Sequence, residues 1–212
     1  MGSIELFVPG RLCLFGEHSD WAGRFTDINS DVLPGMAIVT GIDLGIYATV
    51  EKNDFFSIQS LDADGNSVSF SCEMDLKVLR QNAYETQYFS YACGVAAYLL
   101  EHYQIGGISI IIDKVTLPIK KGLSSSAAIC VLVARAFNEL YHLKMSTNGE
   151  MQAAYRGEML TRSRCGRLDQ ACAYGVRPVC MEFSGDEIFV DKLKVGKSLF
   201  WVFADLPIKQ II

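Results

Sequence analysis

Apolar and polar residues alternate loosely over Ile4–Val8 and then meet Pro9-Gly10, which predicts a strand followed by a turn. Ile42–Glu51 and Phe55–Ser60 read as further strands, and the cluster Asp62–Asn66 predicts a hairpin turn into Val68–Cys72. Residues 24–35 carry no period and end at Leu33-Pro34-Gly35, the pattern of a flexible loop. The period then changes. Tyr88, Tyr91, Val95, Tyr98 and Leu99 recur at helical spacing and predict a helix over Glu85–Tyr103, stopped by Gly106-Gly107. Ile108–Leu117 is a β-branched strand, and an apolar helix follows over 126–141. After the polar break Met145–Gly149, a second helix is predicted at about Glu150–Ser163, with Thr147 or Asn148 as its cap. Cys165-Gly166-Arg167-Leu168-Asp169-Gln170 interrupts the period. Val179–Phe183 and Ile188–Val190, joined by Ser184-Gly185-Asp186, form a hairpin, and Leu199–Asp205 reads as a last buried strand. Strands and helices mix without strict βαβ alternation, so the fold class is α+β with a mixed sheet and helices packed on it.

The junction between the strand at 108–117 and the helix at 126–141 is chemically distinctive. Pro118 opens a polar loop, Gly122 and Leu123 follow, and Ser124, Ser125 and Ser126 stand where the first helical turn must form, just before Ala127-Ala128. The first N–H groups of a helix lack intrahelical acceptors, and the aligned peptide dipoles make that end partly positive. One serine there is an ordinary N-cap. Three, after a glycine and before small residues that permit close approach, suit a phosphate cradle better.

Composition narrows the possibilities. The chain has 212 residues, is 50% hydrophobic and carries a net charge of −5, so it can bury a sizeable core as one or two domains. No Lys/Arg stripe stands out, which argues against nucleic acid as a partner. The seven cysteines form no C-x-x-C pair, so a zinc site is not indicated, and reduced buried thiols in a cytoplasmic protein are the natural expectation. The apolar run Ala127–Ala134 is too short to cross a bilayer, and MGSIELFVPG lacks the basic segment of a signal peptide; no membrane partner is expected. Gly122 is not followed by the Lys-[Ser/Thr] of the common nucleotide loop, and no Gly-x-Ser-x-Gly elbow occurs.

A phosphate cradle needs a metal ligand, a group to handle the attacking hydroxyl, and countercharge. Glu158 lies in the second helix, where the bland reading, a solvated helix face, is the stronger one for that residue alone. Asp169 is flanked by small or apolar residues (Gly166, Leu168, Ala171, Cys172), so its carboxylate should be partly buried and needs a partner; Arg11 is the candidate. Residues 9–21 gather Arg11, Glu17, His18 and Asp20 in a hydrophobic frame, and His18 between two acids points to a ligand contact. His102 and His142 sit near helix C-termini, where a cation is favoured for structural reasons.

Three stretches together resemble a known family. PGRLCLFGEHSDW resembles the PGRVNLIGEHTDY signature of galactokinases within the GHMP kinase superfamily, PIKKGLSSSAA is similar to that superfamily's P-x3-GLSSSAA motif, and CGRLDQ resembles CGIMDQ. The resemblance implies an N-terminal lobe similar to ribosomal protein S5 domain 2 and phosphorylation of a sugar hydroxyl by ATP, on the anomeric hydroxyl of galactose or a related hexose. It implies that ATP phosphates lie over Gly122, Leu123, Ser124, Ser125 and Ser126, that Mg²⁺ is held by Ser126 and Glu158, and that Asp169 and Arg11 are catalytic. Glu17, His18, Asp20 and Gly166 are then expected to contact the sugar. Cys13, Trp21 and Arg167 depart from the signature residues, and Arg167 beside the expected base would suit an anionic substrate such as a uronic acid. No counterpart of the family's third motif occurs, which implies a GHMP kinase N-terminal domain over 1–205, the start of a connection at 206–212, and a second lobe largely absent. A catalytically silent sugar and ATP sensor is the competing reading, as is a kinase for arabinose, mevalonate or another small substrate.

Overall fold

The 19-residue strand β2 (Gly35–Asn53) is the spine of the sheet. β1 (Ile4–Phe15) runs antiparallel along it from Ile4 opposite Val50 to Phe15 opposite Ile38. On the other edge of β2, β5 (Gly107–Val115) pairs with the C-terminal half and β6 (Pro178–Ser184) with the N-terminal half. β3 (Phe55–Leu61), β4 (Ser67–Glu73) and β7 (Glu187–Lys192) complete seven strands in the order β4-β3-β5-β2-β6-β7, with β1 on β2 alone. Every pair is antiparallel except β3 with β5, so the sheet is mixed and the fold α+β. The computed structural model describes residues 2–61, 65–86, 89–117, 123–163, 165–197 and 199–202.

Strands β3 and β6 alternate buried with less buried positions, the signature of a sheet with one face covered. The cover is helical. After the short α1 (Ser19–Ala22) come α2 (Leu76–Glu85), α3 (Ser90–His102), α4 (Ser125–Tyr141) and α5 (Thr147–Glu158). α4 is the central one: Ala127, Ala128, Cys130 to Ala134, Ala136 and Phe137 are all buried, and Phe137 stacks on Phe56 of β3 at 6.4 Å between ring centroids. Arg135 ties this helix to three other elements, donating to Glu150 Oε2 at 3.0 Å, to the Ala173 carbonyl at 2.7 Å and to the Phe7 carbonyl at 3.3 Å. Among the described residues no helix is long and apolar enough to cross a membrane. All seven cysteines are free thiols.

Several expected boundaries move, each for a local reason. β1 does not turn at Pro9-Gly10 but passes through it with a register irregularity between Pro9 and Arg11; a bulge accommodates the residue that cannot donate. β2 starts at Gly35 rather than Ile42, and the stretch before it contains a 3-10 turn at Gly23–Asp27. The helix expected over 85–103 starts later, at Ser90, and α2 before it was not expected: Asp75 caps α2 by accepting from the amides of Lys77 and Val78, and extended Thr86 ends it. α5 begins earlier, because Ser146 is the cap and accepts from Gly149 N at 3.1 Å, and it ends at Glu158 rather than 163. Residues 199–202 form no strand and lie exposed, Val202 almost completely; the rest of the strand expected there, and Asp62 to Asp64 of the β3–β4 turn, fall outside the described residues.

α3 and α5 cross with their backbones in contact at Gly94 and Gly157. A methyl group on Gly157 would stand 2.7 Å from the Val95 nitrogen and 2.6 Å from its Cγ2, and one on Gly94 would run into the Gly157 carbonyl. Alanine is the better helix former by about 1 kcal/mol, but overpacking a backbone crossing outweighs that. Gly157→Ala is therefore expected to destabilise the fold by about 1–3 kcal/mol in urea denaturation, against the helix-propensity trend. Equal or greater stability would show that the crossing yields without strain.

Candidate functional site

The site gathers at the head of α4. Ser124 occupies the N-cap position in a left-handed backbone (φ 53°), a region sparsely populated by residues with a Cβ, and its side chain makes no cap bond to the helix. Its hydroxyl instead donates to Asp169 Oδ1 at 2.9 Å. The first amides of α4 therefore have no side-chain cap from this serine, the condition under which a helix N-terminus accepts an anion. Leu123, just before, is buried and its carbonyl accepts from Arg11 N at 3.2 Å, which ties the helix head to β1. Gly122, also expected in the cradle, lies outside the described residues.

Asp169 opens a 3-10 turn at Asp169–Tyr174. The same Oδ1 that receives Ser124 is ion-paired with Arg11 Nη2, and Arg11 Nη1 reaches Glu17 Oε2 at 2.9 Å. Arg11 is buried, its Nε without a partner among the described residues. Burial alone would lower its pKa, but Asp169 and then Glu17 outweigh that and hold the guanidinium above its ordinary value.

The other expected sugar contacts divide. Glu17 and His18 are exposed; His18 has a left-handed backbone (φ 68°), and its ring has no hydrogen-bond partner among the described residues. Asp20 is buried instead, and its Oδ2 accepts the backbone amides of Arg167 at 2.6 Å and Leu168 at 3.2 Å. A Cβ at position 166 would run into that carboxylate, so Gly166 is what lets α1 anchor the loop carrying Asp169. Arg167 is also buried, and its guanidinium turns to the β6–β7 turn, donating to the Gly185 carbonyl at 2.6 Å above the Phe183 ring. Burial lowers its pKa.

Glu158 overturns the solvated-face expectation. It is only 1% exposed, at the end of α5 against α4 and the 3-10 turn. Its Oε2 accepts from Gln170 Nε2 at 2.8 Å and lies 3.7 Å from Cys130 Sγ, with the Ser126 hydroxyl and the Cys165 thiol close to its carboxylate. Burial raises its pKa, the Gln170 bond opposes this, and repulsion from Asp169 adds to it. Gln170, Cys130 and Cys165 drew no role from the sequence; the one signal was that Gln170 directly follows Asp169 in CGRLDQ.

A family model described as "GHMP kinases N terminal domain" matches residues 90–176, which includes α3, α4, α5 and Asp169. Galactokinase from Lactococcus lactis, solved with galactose, superposes with a TM-score of 0.67 at 22% identity over 90% of this chain and 47% of its own. A D-glycero-D-manno-heptose 1-phosphate kinase from Bacteriodes thetaiotaomicron gives 0.68 at 24% identity, over 90% and 60%. Residues 90–176 thus match the GHMP kinase N-terminal domain, and the chain shares the fold of these solved structures. Mevalonate kinase from Methanococcus jannaschii shares the fold as well, with a TM-score of 0.67 at 20% identity over 92% of this chain and 56% of its own. The chain spans about half the length of the solved structures it matches.

The residues fit the divalent ion that the resemblance implies. Among the described residues no three His, Cys, Asp or Glu side chains cluster to cage a metal. Mg²⁺ does not need such a cage, since it keeps waters and takes one or two protein oxygens beside phosphate. Ser126 and Glu158 lie near one another at the open end of α4, and Glu158 has no cationic side chain within ion-pair distance among the described residues.

Two measurements test this electrostatic arrangement. Burial, with Glu17 next, pushes the Cys13 thiol up to about 11. Since only the thiolate reacts, its alkylation by iodoacetamide should climb about tenfold per pH unit between about pH 8 and 10, and Glu17→Gln should speed it severalfold at the lower end. A rate already level in that range would contradict the placement. Asp20→Ala leaves two buried amides unpaired, so a loss of about 1–3 kcal/mol is expected, with faster hydrogen exchange at Arg167 and Leu168. Unchanged exchange there would mean that Asp20 does not hold the loop.

Proposed function

We propose that this chain supplies the phosphate-cradling and substrate-orienting half of an ATP-dependent kinase that phosphorylates a sugar hydroxyl, the anomeric hydroxyl of galactose or a related hexose. One observation carries the reading: the carboxylate of Asp169 stands at the uncapped head of α4, held there by Arg11 and Ser124. An alcohol bound beside Asp169 would find an oriented acceptor for its proton, next to helix amides suited to the polyphosphate it attacks. Arg11, ion-paired with Asp169, would offset the negative charge that develops in transfer.

Ser125 and Ser126 begin α4, so with Leu123 and Ser124 their amides face the nucleotide phosphates. Ser126 and Glu158 would hold Mg²⁺, which when bound neutralises phosphate charge. Glu17 and His18, exposed beside Arg11, are the substrate-facing groups of the β1–α1 segment. Asp20 and Gly166 act from behind, setting the loop that presents Asp169. The resemblance of GEHSD to the galactokinase signature supports a sugar over mevalonate, although a mevalonate kinase shares the fold equally well. A uronic acid has less support than the sequence suggested, because the Arg167 guanidinium engages the Gly185 carbonyl.

The test is a coupled ADP-release assay on the whole protein with galactose, other hexoses, arabinose, galacturonate and mevalonate. A sugar is expected to elicit ADP, and Asp169→Asn to reduce turnover by a factor of about 10² or more while ATP affinity is retained. ATP binding without turnover on any substrate would favour a catalytically silent sensor. Activity retained in Asp169→Asn would exclude that residue as the base.

A further inference from the structure

Glu158 presents a problem that its proposed role does not solve. A buried carboxylate ordinarily has a cationic partner, and among the described residues this one is met by neutral groups: Gln170 and Cys130, with Ser126 and Cys165 close by. Resting on the kinase reading above, we infer that Gln170 is a positioning residue, an amide that fixes the Glu158 carboxylate for a divalent cation while leaving its charge uncompensated.

Geometry carries the first part. Gln170 is fully buried, and its Nε2 donates to Glu158 Oε2 at 2.8 Å with Cys165 Sγ at 3.6 Å. The amide can face only one way, since the flipped orientation would set its oxygen against the carboxylate. One carboxylate oxygen is thereby pinned, and with it the rotamer of the last residue of α5.

Charge carries the second part. A lysine or arginine at 170 would also orient Glu158, but as an ion pair that consumes the attraction a metal needs. A carboxylate there would repel it. A neutral amide does neither. The other amide atom, Oε1, is buried with no donor among the described residues, an unused acceptor beside a site where a hydrated cation would bring water O–H groups.

Position carries the third. Gln170 follows Asp169 in the same 3-10 turn, so the carboxylate held by Arg11 and the one held by Gln170 are braced from adjacent residues. Any displacement of the turn moves both. Proton acceptor and metal ligand keep their spacing because one short element sets it.

Mn²⁺ binding to the whole protein with a non-hydrolysable ATP analogue, read by electron paramagnetic resonance, tests the inference. Gln170→Met keeps the volume and removes the donor; it is expected to weaken Mn²⁺ by about 10-fold or more. Metal-free nucleotide affinity and the melting temperature of the unliganded protein should stay near wild type. Gln170→Asn, whose amide falls short, should show the same selective loss and serves if the Met variant folds poorly. Wild-type Mn²⁺ affinity in both variants overturns the inference alone, as does a parallel loss of fold stability, which would mark Gln170 as merely structural. No Mn²⁺ binding by the wild type overturns the kinase reading of Ser126 and Glu158, and the inference with it.

Discussion

One carboxylate oxygen joins three parts of the chain that lie far apart in sequence. Asp169 Oδ1 receives the Arg11 guanidinium from β1 and the Ser124 hydroxyl from the head of α4, partners 158 and 45 residues away. Neither contact is a local capping bond; each closes a long loop of chain. Arg11 is buried, so its charge must be met inside the protein, and Asp169 and Glu17 meet it. Satisfying the arginine therefore fixes Asp169, and fixing Asp169 diverts Ser124 from the helix it precedes. The open head of α4 follows from that diversion.

The same economy governs the second carboxylate. Gly94 and Gly157 let α3 and α5 approach backbone to backbone, and this crossing sets Glu158 against Cys130 of α4 and Gln170 of the 3-10 turn. Burial raises the pKa of Glu158, and among the described residues no cationic side chain pairs with it. A fold seeking stability alone would not bury such a group. Its presence beside Ser126 makes sense when a cation completes the site.

Around these two acids stands a frame that carries no chemistry of its own. Asp20 caps the amides of residues 167 and 168, and Arg167 reaches across to the β6–β7 turn at Gly185. Between them they lash the loop before Asp169 to α1 on one side and to the sheet on the other. Both are charged residues inside conspicuous motifs, and among the described residues the side-chain hydrogen bonds of both go to backbone groups, Asp20 through Oδ2 and Arg167 through Nη2.

The serine run, the glycine-rich polar turn after Arg11 and the CGRLDQ stretch were legible because each packs its chemistry into a few consecutive residues. Most strands and the central helix were legible from period and composition, as was the pairing of Asp169 with Arg11, since a carboxylate among small apolar neighbours demands a cation. Local signals overridden by neighbours were not. The helix expected from Glu85 starts only at Ser90, since Glu85 belongs to α2 and Thr86 is extended; Pro9-Gly10 is carried through a strand as a bulge, and residues 199–202 are apolar yet exposed. The sequence by itself determined the reactive groups and the elements that bear them. Only the tertiary structure decided that Glu158 is buried, that Asp20 serves a loop and that Arg167 faces a turn. Helical period says which residues share a face; what covers that face depends on contacts between distant segments, such as the glycine crossing of α3 and α5, and no local pattern encodes them.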